Sequence, residues 1–280
     1  MATGGVYPKV TGDLIYQADY NSLQIDTSLV VSTYYQNAVA ASSLSGSVAI
    51  SATQFDNLRT DINKAYKHIT GSDSTITDVA SGGVISHTVL NEYKTAVDYI
   101  LANYQSVYAP TQLSSAIDSS SMTAAWNGSH TWTRRMTWAS SALADAYFNT
   151  GGYIVVDVSG ANATAAVKDQ DWLGILNTIP TQTYAYGNWF SGFTLTYQQG
   201  SVGTTYYGNN YATITCTKVN ATTLDISVNV VDGEGTHIDN FGQTVPDYDV
   251  NTDVNASITR YYSIDAITAP TTTVTTTSNF

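Results

Sequence analysis

Apolar and polar positions in the first third of the chain follow a pattern that returns at a fixed interval. Ile15, Ile50 and Ile85 lie 35 residues apart. Each opens an apolar-then-polar run: Ile15-Tyr16-Gln17-Ala18-Asp19-Tyr20-Asn21, Ile50-Ser51-Ala52-Thr53-Gln54-Phe55-Asp56 and Ile85-Ser86-His87-Thr88-Val89-Leu90-Asn91. The register continues through Leu23, Leu58 and Tyr93, then Val30, Ala65 and Ile100. A constant interval of this size marks supersecondary units that bury their apolar faces on one another. The middle unit predicts a helix most clearly. Ser51 and Gln54 have capping-box spacing, Phe55, Leu58, Ile62, Ala65, Tyr66 and Ile69 recur with helical period, and Gly71 suits a left-handed C-terminus. The third unit has its stripe at Leu90, Tyr93, Val97, Ile100, Leu101 and Tyr104, stopped by Pro110. The first has Tyr20, Leu23, Val30, Val31 and Tyr34, with polar Thr27 where Ile62 and Val97 stand in the others. The expectation is a small three-helix module over residues 1–112. Ile15, Ile50 and Ile85 are its candidate assembly arms, each lying beside a neighbour or another subunit.

Residues 113–121 are Ser-rich and read as a linker, after which the pattern changes to period two. Strands are predicted at 131–138, 153–158, 193–197, 211–218, 224–231 and 250–261. Short helices are predicted from Ser140 or Ser141 to Tyr147 and from Asp169 to Ile179. Gly151-Gly152 reads as the turn from the first of these helices into a strand. The fold class expected is therefore α+β: a helical module of three 35-residue repeats, then a β-rich, sandwich-like domain over 122–280 ending in a Thr-rich tail.

Composition narrows the functional classes. Only 11% of residues are charged, whereas Tyr alone contributes 21. Charge depletion with Tyr enrichment is a recurrent property of contact surfaces. A net charge of −12 disfavours a nucleic-acid partner, which needs Lys and Arg to replace counterions. No stretch reaches the length of a membrane span, and the first residues lack the basic and apolar regions of a secretory signal. Cys216 is the single cysteine, sits on the apolar parity of its strand, and reads as a small core residue.

At Phe148-Asn149-Thr150-Gly151-Gly152-Tyr153-Ile154 the chain resembles virion structural proteins of tailed cyanophages. Trp126-Asn127-Gly128 upstream and Asp169-Gln170-Asp171-Trp172-Leu173 downstream are similar to elements of those proteins. The run from Ile50 to Ile62, ending near His68-Ile69-Thr70-Gly71, resembles their N-terminal region. The resemblance spans most of residues 10–260. It implies a non-enzymatic subunit of a phage particle, of the tail fibre, neck or baseplate appendage type. No catalytic residue, metal or cofactor follows from it. The partners it implies are further copies of the chain and other virion proteins, assembled in the host cytoplasm.

The aromatics Tyr184, Tyr186, Trp189, Phe190, Tyr206 and Tyr207 lie in a Gly/Asn-rich region. They are candidate interface or glycan contacts, and the alternative function they define is a host-glycan-binding adhesin. Asp232 to Asp239 is acidic enough to suggest Ca²⁺, but it lacks the alternation of a calcium loop and reads as a hairpin tip. Asp169 and Asp171 evoke paired acids for glycoside hydrolysis, yet helix N-termini favour Asp in any case. His68, His87, His130 and His237 have no metal-ligand spacing, and His68 reads as a cation at a helix C-terminus.

Overall fold

A computed structural model describes residues 8–46, 49–83, 85–108, 111–191, 194–201, 207–238, 241–262 and 272–280. In chain order the helices and first strands are α1 (Gln17–Ser28), a π-helical turn (Leu29–Tyr34), α2 (Ala52–Thr70), α3 (His87–Asn103), β1 (Thr111–Met122) and β2 (Ser129–Trp138). They are followed by α4 (Ser141–Asn149), β3 (Tyr153–Ala161), α5 (Val167–Thr178), β4 (Gln182–Tyr184) and α6 (Tyr186–Ser191). The remaining strands are β5 (Leu195–Gly200), β6 (Tyr211–Asn220), β7 (Thr223–Val231), β8 (His237–Ile238), β9 (Thr244–Val245), β10 (Asp253–Tyr262) and β11 (Thr272–Ser278). Helices and antiparallel sheets together make the chain α+β.

The chain divides into two compact units. The first comprises Met1–Thr111, Ser141–Gly152 and Tyr262–Pro270; the second comprises Gln112–Ser140, Tyr153–Tyr261 and Thr271–Phe280. Two expectations change here. Residues 113–121 are not a linker but part of β1. The helical unit is also discontinuous, because α4 belongs to it.

In the first unit, α1, α2 and α3 start from N-caps at Tyr16, Ser51 and Ser86. Gln54 Oε1 accepts the Ser51 N–H at 2.7 Å, and the Asp19 carboxylate accepts the Tyr16 N–H at 2.7 Å. Side chains thus satisfy two of the free amides that open α2 and one each in α1 and α3. Phe55 is fully buried in the core, edge-on to Tyr20 at 5.5 Å and to Tyr93 at 5.1 Å. Leu23, Leu58, Ile62, Leu90 and Val97 belong to the same core. Ile15, Ile50 and Ile85 pack against this same core, half-buried, so the three arms fold onto their own unit. Half-burial recovers only part of the about 1.5–3 kcal/mol of full burial, and part of each side chain stays exposed.

The first helix departs from the expected stripe. Its π turn inserts one residue per turn relative to an α-helix, with the Tyr35 N–H bonding to Val30 O at 3.0 Å. The core position therefore moves from Tyr34 to Tyr35, which is fully buried and donates its hydroxyl to Tyr104 O at 2.8 Å. Thr27 is buried there without penalty, since its hydroxyl donates to Leu23 O at 2.8 Å. Gly71 ends α2 at φ +81°, with the Tyr108 ring against the place where a Cβ would be. Gly151 and Gly152 close α4 as expected. Gly151 has φ +75°, and a Cβ on Gly152 would lie 2.3 Å from Tyr147 O.

The second unit holds a four-stranded sheet, ordered β1-β10-β3-β4, and a five-stranded one, ordered β11-β2-β7-β6-β5. Both bury alternate residues: Ile154, Val156 and Val158 on β3, Trp132, Met136 and Trp138 on β2, and Leu224, Ile226, Val228 and Val230 on β7. Cys216 is buried among them, as its parity predicted. Helix α5 packs on β3 and touches β5 and β6, placing Trp172 edge-on to Trp126 at 4.7 Å.

A buried carboxylate ties the α1–α2 connection to α2. Asp61 is 1% exposed and accepts the Ala40 N–H at 2.9 Å and the Ala41 N–H at 2.8 Å. Asp61→Ala leaves both amides without that partner and is expected to cost about 2–3 kcal/mol. Urea unfolding should show this as a lower midpoint at unchanged slope. A loss under about 0.5 kcal/mol would show that the tie is redundant.

Candidate functional site

A groove of about 680 Å³ runs along α3 in the first unit. Helix α3 buries Leu90, Tyr93, Val97 and Ile100, which leaves Thr88, Asn91, Glu92, Thr95 and Tyr99 on another face. Those residues line the groove together with Tyr66 of α2, Ser74 to Ile76, and Lys9 to Thr11.

One wall is held by a single side chain. Asn91 accepts the Lys9 N–H on Oδ1 at 3.0 Å and donates from Nδ2 to Lys9 O at 2.9 Å, as a neighbouring strand would. The Lys9 ammonium turns inward to Asp19 at 3.0 Å, both side chains being under 7% exposed. Opposite, Asn63 Oδ1 accepts from Ser74 N at 2.9 Å, and Glu92 accepts the Thr77 N–H at 2.9 Å. Tyr66 and Tyr99 pack as a tilted pair 5.0 Å apart, with Tyr99 39% exposed. The groove thus offers aromatic surface, aliphatic Val10 and Ile76, and hydroxyl and amide groups, with His87 and the Glu92 carboxylate also on its lining and its one lysine engaged internally. That mixture suits an extended or aromatic segment of another protein.

The aromatic cluster predicted in the second unit is divided by burial. Tyr184 and Trp189 are 4% and 2% exposed and belong to the core, where Trp189 meets Trp138 at 5.5 Å. The Lys218 ammonium lies 4.0 Å from the Trp189 ring centroid. These two rings are therefore not presented to a glycan or a neighbour. Phe190 is exposed and Tyr186 half-buried, with their rings 4.6 Å apart. Tyr207 is half-buried near His237, and Tyr206 lies outside the described residues.

Several polar candidates serve the interior. Asp232 is buried against Lys168 at 2.6 Å, and the same ammonium reaches Asp247 at 2.8 Å and Tyr248 O at 2.6 Å. Burial pulls the Lys168 ammonium down, but the two carboxylates outweigh it and hold its pKa above the usual lysine value. Glu234 accepts the Asn209 N–H at 3.0 Å. The Asp232–Asp239 stretch therefore has its described carboxylates occupied internally; Asp239 lies outside the described residues. No group of three or more metal-ligating side chains occurs among the described residues. Asp169 and Asp171 are both buried. Asp169 accepts the Asn251 N–H at 2.8 Å, and Asp171 accepts the Ser201 hydroxyl at 2.8 Å, so the pair braces α5. No described helix is long and apolar enough to cross a membrane.

His68 differs from its expected role. It is 1% exposed, with Nε2 at 2.7 Å from Thr150 O, Tyr35 and Tyr262 around the ring, and Nδ1 buried without a hydrogen bond. Burial lowers its pKa below the usual histidine value, opposed in part by the Thr150 carbonyl. The neutral ring therefore donates from Nε2 rather than serving as a cation.

Comparison with family models, with curated proteins and with solved structures finds no significant match for this chain.

Because folding depresses the His68 pKa, its contribution to stability is full above the unfolded value of about 6.5 and is lost as pH falls below it. Thermal melts between about pH 7 and pH 5 should show a decline that His68→Gln, a non-titrating donor, flattens. Parallel pH profiles for the two proteins would contradict this role.

Proposed function

We propose that the chain is a non-enzymatic structural subunit of a tailed bacteriophage particle, a tail, neck or fibre component that attaches through its N-terminal helical module. In this reading residues 1–112 are a helical module of three 35-residue repeats, and residues 122–280 are a sandwich-like β domain. The N-caps Tyr16, Ser51 and Ser86 keep the interval, and Tyr20, Phe55 and Leu90 fill equivalent core places. The resemblance to cyanophage virion proteins supports the same role.

The observation that carries the reading is the α3 groove. Its exposed Tyr99, its apolar Val10 and Ile76, and a lining in which Lys9 and Glu92 are already engaged offer shape and aromatic contact. Buried aromatic anchors of this kind dominate protein interfaces. The partners proposed are other virion proteins and further copies of the chain, and the location is the virion, assembled in the host cytoplasm. The adhesin alternative retains Tyr186 and Phe190 as accessible rings, after Tyr184 and Trp189 are assigned to the core.

Immunolabelling of intact particles should place the chain at a symmetric position on the tail, neck or fibres. Tyr99→Glu in the phage should lower its incorporation by about tenfold or more while the purified chain melts normally, as expected for an interface anchor. Unlabelled particles would sink the structural role. Normal incorporation of the Tyr99→Glu chain would remove the groove from it. Binding to host glycan lost on Phe190→Ala, with label at fibre tips, would favour the adhesin instead.

A further inference from the structure

Strand β11 ends the five-stranded sheet, and its outer side faces no strand among the described residues. It pairs with β2 without interruption from Thr272 opposite Trp138 to Ser278 opposite Trp132. The Asn279 N–H donates to Thr131 O at 3.1 Å. Backbone groups alternate sides along a strand, so those of residues 273, 275 and 277 face β2, and those of residues 274, 276 and 278 point away. Every side chain from Thr275 to Asn279 is exposed.

Natural edge strands are blunted by charge, proline or bulges. Thr272–Ser278 has none of these, and no charged side chain follows Asp265 in the sequence. Copies of a chain with a net charge of −12 repel one another, so they meet most easily at an uncharged stretch. A strand of Thr and Ser is also self-complementary, because Thr opposite Thr is a favourable cross-strand pair.

We propose that β11 pairs antiparallel with β11 of a second copy, about a two-fold axis through Thr276. The two five-stranded sheets then join into one. Thr276 lies opposite itself, residue 274 opposite Ser278, and Thr275 opposite Thr277. The outward groups of residues 274, 276 and 278 form about six backbone hydrogen bonds across the axis. One strand pair buries less than the roughly 1,000 Å² of a stable interface. Association of the free chain is therefore weak, and becomes firm where many copies are held together. The purpose of this contact rests on the assembly role above, but its chemistry and its test concern β11 alone.

The test is sedimentation equilibrium of the purified full chain. The wild type should dimerise with rising concentration, and more readily as salt screens the net charge. Thr276→Pro removes an outward N–H without touching the β2 ladder. It should weaken association by about tenfold or more while shifting the melting temperature by less than about 3 °C. Thr276→Lys should block self-association, and mixing it with Thr276→Glu should restore a dimer. The charge-swap pair decides the matter if the proline variant folds poorly. A wild type that stays monomeric at every concentration and salt, or a dimer indifferent to Thr276→Lys, overturns the proposal. A β11 dimer in solution with unlabelled particles would leave this pairing standing and remove the phage role.

Discussion

Scarcity of positive charge is the constraint on which this structure depends. Ten basic side chains serve 280 residues, and four of them, Lys9, Arg134, Lys168 and Arg260, are buried. A buried cation is tolerable only against a carboxylate or carbonyl. Lys9 meets Asp19, Arg134 meets Asp118 at 2.5 Å, and Lys168 gathers Asp232, Asp247 and the Tyr248 carbonyl. The Lys168 contacts tie α5 to segments more than 60 residues further along the chain. The other six basic side chains are half-buried or exposed, and acidic residues outnumber basic ones by 22 to 10 over the whole chain, so cations are sparse outside.

That division connects the two surfaces singled out above. The α3 groove has one wall fixed by the two bonds between Asn91 and the Lys9 backbone, with Lys9 drawn inward to Asp19. Its lining includes hydroxyls, the Asn91 amide, Glu92, His87 and two tyrosines. The β11 edge offers unpaired backbone and threonine. Neither surface relies on ionic attraction, and both suit a protein that works by being held among copies and neighbours.

Much of the helical part was legible in the sequence. The capping box at Ser51 and Gln54, the stripe from Phe55 to Ile69 and the glycine stops at Gly71 and Gly151 act over a few residues, so local pattern suffices. The π turn was not legible, because Val30, Val31 and Tyr34 fit an ordinary helix and only packing of Tyr35 shows the inserted residue. Strand β1 was missed for a related reason. Serines alternating with few apolar residues resemble a linker until a partner strand supplies the hydrogen bonds. Lys168 was invisible as a hub since its carboxylates lie far along the chain. Trp189 reads as an exposed aromatic among glycines and polar residues, yet the short helix α6 turns it into the core. The groove combines Lys9, Tyr66, Ser74 and Tyr99, and Tyr66 had registered only as part of an apolar stripe.

The proposed role requires the chain to be a built-in part of a particle. Quantitative mass spectrometry of purified particles, set against the infected-cell lysate, measures this directly. The account predicts several copies of the chain per particle, in a fixed ratio to the other structural proteins. A chain abundant in the lysate and missing from the particles would contradict it.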